Sequence, residues 1–453
     1  MWSARQWGLL KDTVILAGAA VAVAVVLSLP ASYVVGQTRR LSTRPILVAL
    51  MALPLLLPPM VYTFGWQRLA AALPPRLLCI CMWAAWGWPI PALIVGSGWA
   101  RAGRAGYEAA LLSTTAGSAF VRAGLPLLWR PLAISGLILL VLFLGEYTVP
   151  HACGLSVYAT DLLGLAEAYG PRAIEVLWPS VPLVGLLAIA GGLAWLTWRG
   201  SADDDAGAAG ATGGSRRSRA AIAGVIVILG LTIVTPIVRL AWHGSILEWV
   251  DLAWQTYRVE LLQSVAVSVV SGLAAVLMGT GIAMHSAGRR LAVGWAVVFG
   301  LLPGALAGQA LVAAYLPVPP VYNHWPIVVF CHVARFGWIG LLAALLAWRQ
   351  VPPDLVQQAR ADGADALAVD THVRLWPNWP TLLCGAGLVA ALSLADITAI
   401  SLVRVPSVGT ISLTLIEKMH RFEEGMLVAL SLWLVAAALP PAALMAVALR
   451  RRG

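Results

Sequence analysis

Charge is what this sequence has least of. Only 11% of its 453 residues are Asp, Glu, Lys or Arg, against about a quarter in a soluble domain. With 60% hydrophobic residues, the shortage excludes a water-soluble enzyme and points to a polytopic membrane protein. The net charge of +10 does not indicate nucleic acid. The basic residues sit in short clusters between apolar runs, which is how membrane topology is written.

Motifs that carry chemistry are also missing. There is no Gly-x4-Gly-Lys-Ser/Thr loop to cradle phosphates, so the chain carries no ATPase of its own. There is no HExxH, no zinc-ligand spacing and no GxSxG elbow. The five cysteines (79, 81, 153, 331 and 384) form no CxxC pair and read as small buried hydrophobes. A membrane enzyme needs a convergent nucleophile, base or metal set, and none is evident.

What the chain does have is long apolar runs. Stretches of about 20 residues, enough to cross a bilayer core, occur near 13–36, 46–66, 77–100, 132–150 and 175–198. Six more lie at 220–242, 261–285, 291–317, 325–348, 381–400 and 425–449. The expectation is an all-α protein with about 11 transmembrane helices, five in residues 1–198 and six in residues 220–453. Between them, 199–219 contains SADDDAGAAGATGGSRRSR, a Gly/Ala/Ser-rich flexible linker. If that linker is cytoplasmic, its side of the membrane holds nineteen of the thirty Lys and Arg. The positive-inside rule then places linker and C-terminus in the cytoplasm and residues 1–12 outside.

The two halves repeat one another. LLKDTVILAGAAVAVAVVLSLPASYVVGQTRRL (9–41) matches LLQSVAVSVVSGLAAVLMGTGIAMHSAGRRL (261–291) at an offset near 250. The same offset pairs Tyr107-Glu108 with Val356-Gln357, and Leu144-Gly145-Glu146 with Leu394-Ala395-Asp396. Matched spans run in the same direction, so the repeat is parallel. The second half has one extra leading span, 220–242.

Before the next-to-last span of each half the chain turns polar. In the second half Pro352-Pro353-Asp354 starts a short helix, Asp354 being able to cap it. Gly363 suits the left-handed position that ends such a helix. Asp365 can cap a second short helix carrying Val369, Val373 and Trp376, which Pro377 ends. Residues 107–126 have the same plan, with Glu108, Leu112, a capping Ser118, Phe120 and Pro126. Two matched elbows on one face suggest a two-fold docking surface for a partner.

These elbows resemble the EAA loops of ABC-importer permeases. That pattern is Glu-Ala-Ala, a glycine after three more residues, then Leu-Pro. The first copy keeps Glu108, Ala109, Ala110, Leu125 and Pro126, but has Thr114 in place of the glycine. The second keeps Ala359 and Gly363, but has Gln357 and Gln358 in place of Glu-Ala and Trp376-Pro377 in place of Leu-Pro; Asp362, beside the glycine, is counted with the coupling loop. FLGEYTVP (143–150), SLADITAISLVRVPSVGTISLTLIEKM (393–419) and VARFGW (333–338) resemble neighbouring segments of the same family. Fusion of both halves in one chain points to the iron(III), thiamine and aminoethylphosphonate importers.

The resemblance implies a type I importer permease in the inner membrane. It implies two copies of a cytoplasmic ATPase at the elbows, with ATP and Mg held by that partner and no cofactor on this chain. An extracytoplasmic solute-binding protein would dock on the outer loops, 151–174 and 401–424, and iron(III) is the first cargo implied. The alternative from another class is a secondary transporter driven by an ion gradient.

Ionisable groups at membrane depth are expensive and therefore informative. Arg335, with His332 one turn earlier, reads either as lining the translocation path or as a structural partner of Asp396. Glu146 and Asp396, repeat-equivalent at the outer ends of their spans, read either as lining the mouth or as solvated acids.

Overall fold

The computed structural model describes residues 3–37, 50–51, 53–55, 57–67, 72–101, 105–170, 174–199, 215–242, 245–285, 300, 304–403, 405, 408–421 and 423–450. Among them there are helices and turns but no strand. An apolar chain in lipid must satisfy its backbone internally, and helices do so within each segment. Most of the linker at 199–219 and the basic segments at 37–45 and 286–290 lie outside the described residues.

Among the described residues, seven helices are long and apolar enough to cross a membrane: Ala4–Gly36, Val121–Leu144, Glu175–Ala194, Ala220–Ala241, Ile246–Met284, Pro326–Trp348 and Glu424–Pro441. The pair Pro75–Gly87 and Pro89–Trp99, bent by 46°, makes an eighth if the two are one broken span rather than a re-entrant loop. The protein is therefore a multi-pass, all-helical membrane protein. Of the eleven expected spans, the remaining three correspond to shorter helices. They are Pro59–Gln67, Gly304–Tyr315 and Trp379–Leu394, each with neighbouring residues undescribed or coiled differently.

The bend has a sequence cause. Gly87-Trp88-Pro89 in the first copy stands where the second copy has Gly337-Trp338-Ile339. Proline cannot donate to the helix ladder and crowds the preceding turn. With isoleucine there, Pro326–Arg349 runs unbroken.

The chain forms two compact units. The first comprises Met1–Leu55, Pro59–Asp161 and Val181–Arg239. The second comprises Leu56–Pro58, Leu162–Ser180 and Leu240–Gly453. These differ from the 1–198 and 220–453 halves at three places: residues 56–58 and 162–180 group with the second unit, and the extra span up to Arg239 groups with the first. The reason is packing. Gly224 lets that span approach Pro30 of the first helix, where an added Cβ would lie 3.2 Å away. Trp88 Nε1 also donates to Thr232 at 3.3 Å.

In the second unit the central element is Pro326–Trp348, with 61% of its apolar window buried. Small residues let backbones meet there, the usual basis of helix association in lipid. A Cβ on Gly279 would lie 2.7 Å from the Gly340 carbonyl, and one on Gly340 would overlap Ala275. Gly272 likewise lies against the carbonyl of Ala386. An added Cβ on Gly304 would press on Arg335 and Thr398, and one on Gly308 on Ala399.

Candidate functional site

Two kinds of site are repeated, one in each copy: a buried carboxylate at the turn after the Leu125–Leu144 or Trp379–Leu394 helix, and an elbow before that helix.

In the first copy, the Leu125–Leu144 helix ends and the chain turns at Gly145, bringing Glu146 inward. Glu146 is 9% exposed. Its Oε2 accepts from Trp83 Nε1 at 2.8 Å and from the Val149 amide at 3.2 Å. Its Oε1 accepts from the Thr148 amide at 2.6 Å and from the Thr148 hydroxyl. A carboxylate so surrounded is held by the donors of its own turn.

In the second copy, Asp396 takes the equivalent place and is 3% exposed. Its Oδ1 accepts from the Arg335 guanidinium and from the Ala399 amide, the latter at 3.3 Å. His332 lies beside the pair, 3% exposed, with Nδ1 3.1 Å from Ser271 Oγ. The structure thus brings together Arg335, His332 and Asp396, and Arg335 is engaged in the structural pair. Reading Glu146 and Asp396 as solvated acids is corrected, because both are buried and hydrogen-bonded. Sequence reasoning does not single out Trp83. At the 250-residue offset that pairs Gly87-Trp88 with Gly337-Trp338, the residue opposite Arg335 is Ala85, two positions from Trp83, so the repeat alone carries no signal for it.

A second correspondence fixes the short helices that follow these turns. Thr13 Oγ1 accepts from the Tyr158 amide at 2.9 Å, at the start of Tyr158–Tyr169. Ser264 Oγ accepts from the Ile411 amide at 2.9 Å, at the start of Ile411–His420. In each copy a hydroxyl on the long helix satisfies an otherwise orphaned amide of a short helix. The segments 151–174 and 401–424, expected only as loops, are therefore partly helical.

No family model and no curated protein sequence matches the chain.

The elbows are built alike. In the second, Pro353–Ala361 ends at Gly363, whose φ of +89° is the left-handed conformation expected of it. Asp365 Oδ1 accepts from the Ala368 amide at 2.6 Å and caps Ala366–Ala368. Asp354 makes no cap. It lies in the first turn, after Pro353 has already supplied the residue that needs no donor. Pro377 does not end the structure either. It sits in a 3-10 turn, Trp376–Asn378, after a π-helix, Val369–Leu375, and the chain runs on into Trp379–Leu394.

The first elbow runs Ala105–Ser113, Ala116–Ala119, a π-helix Phe120–Gly124, then Leu125–Leu144 with Pro126 in its first turn. Ser118 lies inside Ala116–Ala119 rather than capping it. Thr114, standing where the family pattern has glycine, ends the first helix differently. Its amide and its hydroxyl both donate to Ala110 O, at 3.0 and 2.9 Å. The π segments begin 249 residues apart, and such insertions in a helix are uncommon.

The π insertion explains a failed periodicity. Val369, Val373 and Trp376 are expected to share a face, but Val369 is buried while Trp376 is 73% exposed. An extra residue per turn rotates the residues beyond it away from the original stripe. Ala109, Leu125, Pro126, Gln357, Asp362, Gly363 and Pro377 are exposed, and Ala110 and Ala359 are half-buried. Glu108 lies on Ala105–Ser113.

Each elbow is fastened to the span before it by a tryptophan. Trp99 meets Tyr107 edge to face at 5.1 Å, and Leu128 packs in the same cluster. Trp348, 249 residues later, carries the Arg374 guanidinium on its ring at 4.1 Å. Arg374 also pairs with Asp370 at 2.8 Å. Asn378 Nδ2 donates to Ala347 O at 3.1 Å.

Proposed function

We propose that this chain is the permease subunit of an ATP-binding-cassette importer, with both permease halves on one polypeptide. The observation that carries the reading is the repeated elbow: helix, turn, short helix and π segment, at one offset and before the corresponding span. Apolar side chains stand out on both elbows, with Leu112 at 91%, Leu367 at 61% and Trp376 at 73% exposure. Uncovered apolar groups on a polar connector fit a protein partner. The partner in this reading is a pair of cytoplasmic ATPase subunits binding ATP and Mg. A binding protein delivers cargo to the outer turns, and about eleven spans form the two parallel halves. ATP drives alternating access only if it favours one conformer over the other. Iron(III) is the first cargo to test, then thiamine and phosphonate.

The secondary-transporter reading needs a carboxylate free to take up and release an ion. Glu146 is occupied by donors of its own turn and Asp396 by Arg335. The deciding experiment is affinity purification of the tagged chain, together with uptake measured under ATP depletion and under an uncoupler. Co-purification of an ATPase subunit and uptake that needs ATP support the proposal. Uptake that survives ATP depletion and stops with an uncoupler overturns it.

A further inference from the structure

The second unit contains a small cavity, about 10 Å³ to a water-sized centre, beside the turn at Asp396. That is room for about one water molecule. Five side-chain atoms on its lining are buried and without a hydrogen-bond partner among the described residues: Ser268 Oγ, His332 Nε2, Ser393 Oγ, Asp396 Oδ2 and Thr410 Oγ1. Each of the five residues is less than 9% exposed. Unpaired buried polar atoms are costly, and five on the lining of one cavity point to a polar partner inside it.

The first copy shows what the same place looks like when no partner is needed. Offsets of 250 to 253 set Phe143 where Ser393 stands, Ala17 where Ser268 stands and Val157 where Thr410 stands. Phe143 is fully buried and stacks on Trp83 at 5.2 Å. There the carboxylate has donors on both oxygens. The second copy replaces each of these three apolar groups by a hydroxyl. The lining is therefore a built polar site and not an accident of loose packing.

The donor and acceptor pattern selects the ligand. Ser271 Oγ donates to Val267 O at 2.7 Å, so it accepts from His332 Nδ1–H. Nε2 then faces the cavity as a bare acceptor, beside the second acceptor, Asp396 Oδ2. The three hydroxyls can donate or accept. A cation there would sit next to Arg335, which already neutralises Asp396. We propose that this cavity is a hydration site holding one ordered water. The water donates to His332 Nε2 and Asp396 Oδ2 and accepts from two of the three hydroxyls, joining the turn at Asp396 to the helices packed against it. This assignment stands apart from the transport reading.

The test is a crystal structure of the full chain, grown in potassium and again in rubidium, at a resolution that shows solvent. The expected result is one solvent peak within hydrogen-bond distance of Nε2 and Oδ2, unchanged between the two salts and without rubidium anomalous signal. Ser393→Phe, which restores the residue of the first copy, should abolish the peak. An empty cavity in the wild-type chain overturns the proposal, and so does a peak that acquires the rubidium signal. Both of these outcomes are read on the wild-type protein, so they hold even if the variant does not fold.

Discussion

Trp83 Nε1 donates to Glu146 at 2.8 Å, in the place where the other copy uses Arg335 to hold Asp396. One architectural task, fixing a buried carboxylate at the turn that ends a span, is met by a neutral donor in one repeat and by a charge in the other. Substituting phenylalanine removes the indole N–H together with part of a fully buried ring, so the hydrogen-bond loss sets a lower bound on the effect. Trp83→Phe should destabilise the protein by at least roughly 1.5–3 kcal/mol, the range for a hydrogen bond to a charged group. Unfolding in mild detergent checks it, and an unchanged midpoint refutes it.

The ion pair of the second copy behaves differently because both partners lose water. Asp396 is wholly buried at its side chain, and Arg335 is 19% exposed. Arg335→Leu or Asp396→Asn alone should cost about 3–5 kcal/mol by stranding the other member. The double variant should recover much of that loss. A double-mutant cycle on thermal midpoints measures the coupling, and additive losses would show that the pair does not act as a unit.

Gly363 tests the second elbow. Its φ of +89° disfavours any side chain, and no atom lies within 4 Å of an added Cβ, so the effect is purely conformational. Gly363→Ala should cost roughly 1–2 kcal/mol locally. Amide exchange at 354–368 should rise while membrane insertion is kept and uptake falls. Wild-type exchange with wild-type uptake would show that the elbow does not depend on this turn.

Trp348 is the other support of that elbow. Trp348→Leu removes the ring beneath Arg374, an interaction worth about 0.5–2 kcal/mol. Greater spread in spin-label distances between residues 346 and 367 is the expected outcome, and an unchanged distribution would exclude an anchoring role.

Lys418 gives a pH signature outside the spans. Its hydrogen bond to Glu423 at 2.8 Å, helped by Tyr257, raises its pKa above the ordinary lysine value. The charged form is the one stabilised. The contribution is therefore complete below the unfolded pKa and lost as pH rises through the folded one. Because Glu423 is 39% exposed, the effect should be under about 1 kcal/mol. Between roughly pH 9 and 12, spanning the lysine range, Lys418→Met should lose stability less steeply than wild type.

Apolar runs located the seven or eight long helices that could span a membrane, among eleven expected, and a recurring offset near 250 marked the repeat, since both depend only on residue type along the chain. Gly363 and Asp365 were legible because a left-handed turn and a helix cap each demand few residue types. Three features were not legible. Pro377 reads locally as a helix end, but π and 3-10 turns carry the chain past it. Trp376 reads as part of an apolar stripe, and the same π insertion turns it outward. The cavity was invisible because serine at 268 and 393 and threonine at 410 read singly as ordinary small residues. Only their equivalence to Ala17, Phe143 and Val157 shows that a dry joint has become a polar one.

The π segments at 120–124 and 369–375 carry a last consequence. Each holds one residue more than an α-helical path would use, a length of spare chain between elbow and span. Deleting a single residue there should let the helix close into α geometry and leave the span intact. The elbow would then be turned by about 100°, the angle one residue subtends. Such a deletion would separate the aim of the elbow from the stability of the helix that carries it.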